Sequence, residues 1–202
     1  KTAVLTIASD DQATPAMHAG LSGTATASIS GTVTSGDSTL SGVTVTLDGA
    51  ASAGTTTDTV GNYTFTGLLG GSYTLTPGKT GYIFTPADRS VTMSDGNITG
   101  QNFTGYVVTT TSYNGDSSGD YHDSATVSAD LMNVATGDPV PGKIIACNLG
   151  AQVCTGVTDQ TGKASCAISV SQKPGTYAIT AGFAGDGSYA AAADTKPFAI
   201  TE

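Results

Sequence analysis

The sequence predicts an all-β protein: two tandem antiparallel β-sandwiches preceded by a β-hairpin arm. Three observations carry this. Val43, Val45 and Leu47 alternate with Thr44 and Thr46, a period of two that buries one face of a strand and wets the other. Glycine-led turn signals such as Asp48-Gly, Gly70-Gly and Pro77-Gly recur along the chain at the roughly 8–12-residue spacing of sandwiches. Charged residues make up only 11%. The strand and turn formers Thr and Gly prevail, while the helix-filling Leu, Glu, Lys and Arg are scarce. Helix content is expected to be close to nil.

Length and charge narrow the class further. At 202 residues the chain is long enough for one large domain or two ordinary ones. Its formal charge is −9 and its seven basic residues are scattered, whereas a nucleic-acid surface needs clustered Lys and Arg. Nucleic-acid partners are therefore not expected, and the acidity is read as keeping a Thr-rich β surface soluble. Nothing approaches the roughly 18 apolar residues of a membrane span. No signal peptide is recognised, and the chain opens at Lys1 on a strand-like run, as expected of a segment of a longer exported protein.

Residues 1–26 read as two short strands, Ala3 to Ile7 and Ala16 to Leu21, around the loop Ser9 to Pro15. So small a hairpin makes no core of its own. Leu5, Ile7, Ser9, Asp11, Pro15 and Leu21-Ser-Gly-Thr resemble the last hairpin of an ASPM/SPD-2/hydin-like repeat, and the rest of that repeat is missing. The arm is expected to pair with another sheet, or to mark a domain boundary.

Residues 27–106 form the first complete unit. Ile29 and Val33 mark one strand, and Val43 to Leu47 the next. A hairpin runs over Asp58 to Phe65, followed by Tyr73 and Leu75, Tyr82 to Phe84, Val91 and Met93, and Ile98 to Phe103. The strings Ile29-Ser-Gly-Thr-Val, Leu40-Ser-Gly-Val-Thr-Val, Thr57-Asp-Thr-Val-Gly-Asn-Tyr-Thr-Phe, Gly71-Ser-Tyr-Thr-Leu and Gly81-Tyr resemble the carboxypeptidase regulatory-like domain. The resemblance implies a transthyretin-like sandwich, common in secreted and surface proteins and non-catalytic.

Residues 107–202 form the second unit. Ala125, Val127, Ala129 and Leu131 alternate. Apolar runs follow at Lys143 to Cys147, Val153 to Val157, Ala164 to Val170, Gly175 to Ala181 and Lys196 to Thr201. Gly119-Asp-Tyr-His-Asp-Ser-Ala-Thr-Val-Ser-Ala, Thr158-Asp-Gln-Thr-Gly and Phe183-Ala-Gly-Asp-Gly-Ser-Tyr resemble a bacterial immunoglobulin-like repeat of surface proteins, which implies an Ig-like sandwich. The join Phe103-Thr-Gly-Tyr-Val-Val holds one glycine and no Pro- or Ser-rich spacer. Two sandwiches stacked end to end are expected, not a flexible string.

Cys147, Cys154 and Cys166 lack the paired spacing of a zinc site. One disulfide and one leftover thiol are expected, and with them an oxidising compartment. The family resemblance implies Cys154 with Cys166. Hairpin counting leaves a rival open: if Gly150-Ala151 is a two-residue turn, Cys147 lies opposite Cys154. His122, in Asp120-Tyr-His-Asp123, is read as part of a solvated turn, because neighbouring strand residues point to opposite faces. The acidic loop Asn114-Gly-Asp-Ser-Ser-Gly-Asp alternates oxygen donors but lacks the spacing and terminal Glu of a calcium loop. The first unit has only Lys79 and Arg89 as basic residues, neither in an opening strand, so a Lys–Asn isopeptide crosslink is not expected there. The aromatics Tyr63, Phe65, Tyr73, Tyr82, Phe84, Phe103, Tyr177, Phe183 and Phe198 fall mostly at alternating positions and read as core. Trp, the usual sugar-stacking residue, is absent. Three sequons, at Asn62, Asn97 and Asn102, are read as chance in a Thr-rich chain of bacterial type.

No catalytic residue, cofactor or metal ligand is expected, and the protein is read as not an enzyme. The expected role is an extracellular or cell-surface structural module: a stalk or spacer, or a filament subunit. In the second case other copies of the chain join head-to-tail by strand addition through residues 1–26. A carbohydrate- or ligand-binding adhesion module, recognising a surface glycan or protein, and an accessory region of a larger secreted enzyme are the other two classes.

Overall fold

The computed structural model describes residues 26–94 and 96–202 in full, and the strands β1 (Thr2–Ile7) and β2 (Met17–Ser22) as backbone. The described residues contain no helix, as the scarcity of helix formers predicts. β1 and β2 pair antiparallel, Thr2 opposite Ser22 through Ile7 opposite Met17, in a sheet of their own. The loop expected over Ser9 to Pro15, and the part of the repeat resemblance resting on it, lie outside the described residues.

The following strands are β3 (Ala27–Ser35), β4 (Ser38–Thr39), β5 (Thr44–Gly49), β6 (Ala53–Thr56), β7 (Asn62–Leu68), β8 (Gly71–Gly78), β9 (Tyr82–Thr85), β10 (Arg89–Met93) and β11 (Phe103–Val107). One sheet has the order β10-β8-β5-β6, and the other β4-β3-β11-β9 with β7 also paired to β3. Alternation decides what is buried: Val45 and Leu47 of β5, Tyr63 and Phe65 of β7, and Tyr73 and Leu75 of β8 point inward with Ile29, Val33 and Phe103. Fully burying such side chains stabilises by roughly 1.5–3 kcal/mol each.

Then come β12 (Thr109–Tyr113), β13 (Ser118–Asp120), β14 (Ser124–Asn133), β15 (Ile144–Leu149), β16 (Gln152–Val157), β17 (Lys163–Ser169), β18 (Gly175–Phe183) and β19 (Ala192–Thr201). They form a three-stranded sheet, β12-β14-β17, facing a five-stranded one, β13-β19-β18-β15-β16. The core between them holds Val127, Leu131, Ile145, Leu149, Ile168, Ile179, Phe183 and Phe198. The β13–β19 pair is parallel, a departure from the all-antiparallel expectation.

The chain forms two compact units. One is Lys1–Val33, Ser41–Pro77 and Pro86–Phe103; the other is Thr34–Leu40, Gly78–Thr85 and Thr104–Glu202. Within the second, the Gly36 N–H donates to Gly187 O (2.7 Å) and the Val108 N–H to Gly81 O (2.9 Å).

Both units use the same corner. In the first, the Thr57 hydroxyl oxygen accepts the Val43 N–H (3.0 Å) and Asp58 Oδ1 accepts from Val60 and Asn62 (3.0 and 2.8 Å). Gly61 closes that turn at φ 75°. In the second, Thr158 Oγ1 accepts the Lys143 N–H (2.8 Å) and Asp159 Oδ1 accepts from Thr161 and Lys163 (2.8 and 3.1 Å). Gly162 stands there at φ 81°. Such carboxylate-to-backbone bonds fix a turn tightly, and only glycine takes the left-handed corner cheaply.

Candidate functional site

Along β3 the expected strand over Ile98 to Phe103 is replaced by a side-chain ladder. Ile98 makes a single bridge to Ile29, exchanging bonds with Ser28 and Ser30 (2.8 and 2.9 Å). On either side of it, Asn97 Oδ1 accepts the Ser28 N–H and Asn102 Oδ1 the Thr32 N–H, both at 2.9 Å. An Asn amide is a peptide group on a short stem, so it can stand in for a strand where the backbone turns away. Two of the three sequons thus have a structural use. The Tyr63 hydroxyl donates to Gln101 O (2.5 Å), and the Arg89 Nε donates to Asn102 O (2.9 Å). A Cβ on Gly31 would sit 2.1 Å from Gln101 O, so this approach requires glycine.

In the second unit Gly150-Ala151 is the two-residue turn that places Cys147 opposite Cys154. The bond nevertheless forms between Cys154 of β16 and Cys166 of β17 (Cα–Cα 6.0 Å), and Cys147 is the buried free thiol. The rival Cys147–Cys154 pairing is therefore corrected. Register alone does not decide: the bond that forms joins the two sheets instead of two neighbours in one. A Cβ on Gly156 would lie 2.6 Å from Ser165 O, showing how closely β16 approaches β17. Burial pushes the Cys147 thiol pKa up, which lowers its nucleophilic fraction.

His122 has a positive φ of 70°, with its N–H donating to Val170 O (2.8 Å) and its ring 3.8 Å from that of Tyr121. Asp123 Oδ1 accepts the Ser124 N–H (2.8 Å). This is the hydrogen bonding of a turn. In the acidic loop, Asn114 Oδ1 accepts from Ser128 Oγ (2.7 Å), Asn114 Nδ2 donates to Asp130 Oδ2 (2.6 Å), and Asp116 Oδ2 accepts the Thr126 N–H (2.7 Å). Those oxygens close the loop onto β14. Among the described residues no three His, Cys, Asp or Glu side chains are grouped to hold a metal ion.

The first unit thus shows a strand–corner–hairpin order running from Ile29 through the Thr57-Asp58-Gly61 corner to Phe103. Residues 28–105 match the model of the carboxypeptidase regulatory-like domain. The β3 ladder and the Tyr63–Gln101 bond lie entirely inside the matched stretch. No curated protein sequence matches the chain.

Several solved structures are similar to the chain at low identity. The major pilin subunit BcpA of Bacillus cereus is 11% identical, over 87% of this chain and 69% of its own, with a TM-score of 0.42. The TIE protein of Bacillus anthracis is 16% identical, over 100% of this chain and 39% of its own, with a TM-score of 0.40. The major pilin SpaD of Corynebacterium diphtheriae is 12% identical, over 86% and 65%, with a TM-score of 0.37.

The aromatics divide by burial. Tyr63, Phe65, Tyr73, Phe103, Phe183 and Phe198 are core residues, while Tyr82 and Phe84 are half-buried and stack at 6.4 Å on β9. Tyr177 is half-buried, and its hydroxyl donates to Lys173 O (2.9 Å). What sequence reading missed is the uncharged outer face of the β16-β15-β18-β19 sheet. Its signal was present in the outward residues of four separate runs, but it becomes visible only when the register sets those runs side by side.

Proposed function

We propose that the chain is a non-catalytic extracellular module of a bacterial surface protein, a filament subunit or stalk element whose β1–β2 arm pairs with a sheet of another copy. The observation that carries this reading is the two-stranded sheet β1–β2, which pairs with no third strand among the described residues. A lone two-stranded hairpin is marginal in water, and its outer edges hold unpaired N–H and C=O groups that template strand addition. The inter-sheet disulfide supports an oxidising, exported setting. The regulatory-like match at residues 28–105 supports a binding or spacing role over a catalytic one.

A head-to-tail contact whose rotation does not close on itself propagates as a filament. Deleting residues 1–26 and imaging the product by negative stain tests the reading. The expected outcome is loss of assembly with both sandwiches still folded by circular dichroism. Assembly that survives the deletion refutes it.

A further inference from the structure

We infer that the outer face of the β16-β15-β18-β19 sheet is a self-association surface that pairs with the same face of a second copy. This goes beyond the arm contact and does not depend on it. The register sets Thr155, Ala146, Gly182 and Ala193 side by side across four strands. On one side of this row Ile144 pairs with Val157; on the other Val153 pairs with Asn148, and Thr180 with Thr195. None of these side chains is charged, in a chain of net charge −9. Two rim charges, Lys143 and Asp186, pair at 2.6 Å, and Lys196 and Asp194 of β19 pair at 3.4 Å.

The relief of the face selects its occupant. Ile144, Val153 and Val157 stand 62%, 58% and 62% exposed, a ridge of branched aliphatics on the β15–β16 hairpin. Beside it lies a shallow trough of about 440 Å³ whose lining includes Ala146, Gly182 and Ala193. A ridge next to a trough on one flat sheet is self-complementary: a two-fold axis lays each copy's ridge in the other's trough. A charged partner finds no counter-charge here, and the carboxylates elsewhere repel a second copy. This face lets two copies touch without bringing carboxylates into the contact itself.

With strands about 4.8 Å apart and a rise of about 3.3 Å per residue, four strands by seven residues present roughly 450 Å². A stable interface uses about 800 Å² per partner. The pairing is therefore weak between free molecules, and gains where copies are already held close, as in neighbouring filaments. Because the contact carries no charge while each molecule is strongly acidic, added salt strengthens it by screening the repulsion.

Sedimentation velocity on the full chain, over low to high micromolar concentration and at low and high sodium chloride, tests this. The expected result is a sedimentation coefficient that rises with concentration, more steeply at high salt. The double variant Ile144→Glu/Val157→Glu and, on a different strand, Ala193→Glu should each remove the rise, with unchanged circular dichroism and melting temperature. Amide signals of β15, β16, β18 and β19 should move with concentration. A chain that stays monomeric throughout, association weakened by salt, or signals that move on another surface would each overturn the inference. So would association lost on deleting residues 1–26 but kept in all the glutamate variants, which would assign the contact to the arm and leave the arm reading standing.

Discussion

The Tyr63 hydroxyl reaches 2.5 Å to the carbonyl of Gln101 directly above Gly31, tying β7 to the segment that leads into β11. Tyr63→Phe leaves the Gln101 carbonyl without this donor and should lower stability by about 1 kcal/mol. Gly31→Ala places a methyl 2.1 Å from the same oxygen and should cost more, roughly 1–3 kcal/mol as an overpacking defect. Urea denaturation of the two variants gives the order. An alanine variant as stable as the phenylalanine one would contradict the close approach.

The same substitution should act with opposite sign at two buried threonines. Thr158 Oγ1 accepts the Lys143 N–H and donates to Val140 O (2.8 and 2.7 Å). Thr158→Val strands both groups and should destabilise by roughly 1–3 kcal/mol. Thr111, on β12, is 5% exposed, and its hydroxyl finds no partner among the described residues. Thr111→Val removes an unpaid desolvation and should raise the melting temperature. Differential scanning calorimetry reads both.

Burial pushes Tyr63 and Tyr113 up to about 12 from an ordinary 10.0, with the Arg89 guanidinium opposing it at Tyr63. A folded-state pKa raised above the unfolded one means that the native state holds its proton more tightly. The associated stability is present below pH 10 and is lost as pH rises from 10 towards 12. Ultraviolet titration of tyrosinate should show a late phase that merges with the rest in denaturant. Tyr63→Phe and Tyr113→Phe should each shrink that phase.

Cys154 and Cys166 are twelve residues apart, and a loop of that size stabilises by about 3 kcal/mol in the chain-entropy account. Cys154→Ser/Cys166→Ser should therefore lower the urea midpoint while leaving the β signature in circular dichroism. Cys147, buried beneath, should react with a thiol reagent only on unfolding. Fast labelling of the native chain would show that it is not enclosed.

The legible part of the fold was what period two can carry. Val43, Val45 and Leu47, and likewise Ala125 to Leu131, announce which face is buried before any partner strand is known. The Asp58-to-Gly61 and Asp159-to-Gly162 corners were readable because glycine and aspartate act locally. The ladder on β3 was not: Asn97 and Asn102 stand in for a strand by bonding Ser28 and Thr32, which lie some seventy residues away in sequence. The choice between Cys147 and Cys166 as partner of Cys154 was left open for the same reason, since one depends on a hairpin and the other on sheet-to-sheet approach. β12 was overlooked because it buries Thr109 and Thr111 and exposes Thr110 and Ser112, and hydropathy barely separates those two sides.

The parallel pairing of β13 with β19 has a mechanical consequence. Ser118, Gly119 and Asp120 run alongside Ala199, Ile200 and Thr201, and the join is reinforced by the Ala199 N–H to Ser117 O, the Tyr121 N–H to Thr201 O (2.9 Å each) and the Thr201 hydroxyl to Asp120 Oδ1. Tension drawn along β19 loads these bonds together, in shear, whereas an antiparallel hairpin pulled from its open end gives way one rung at a time.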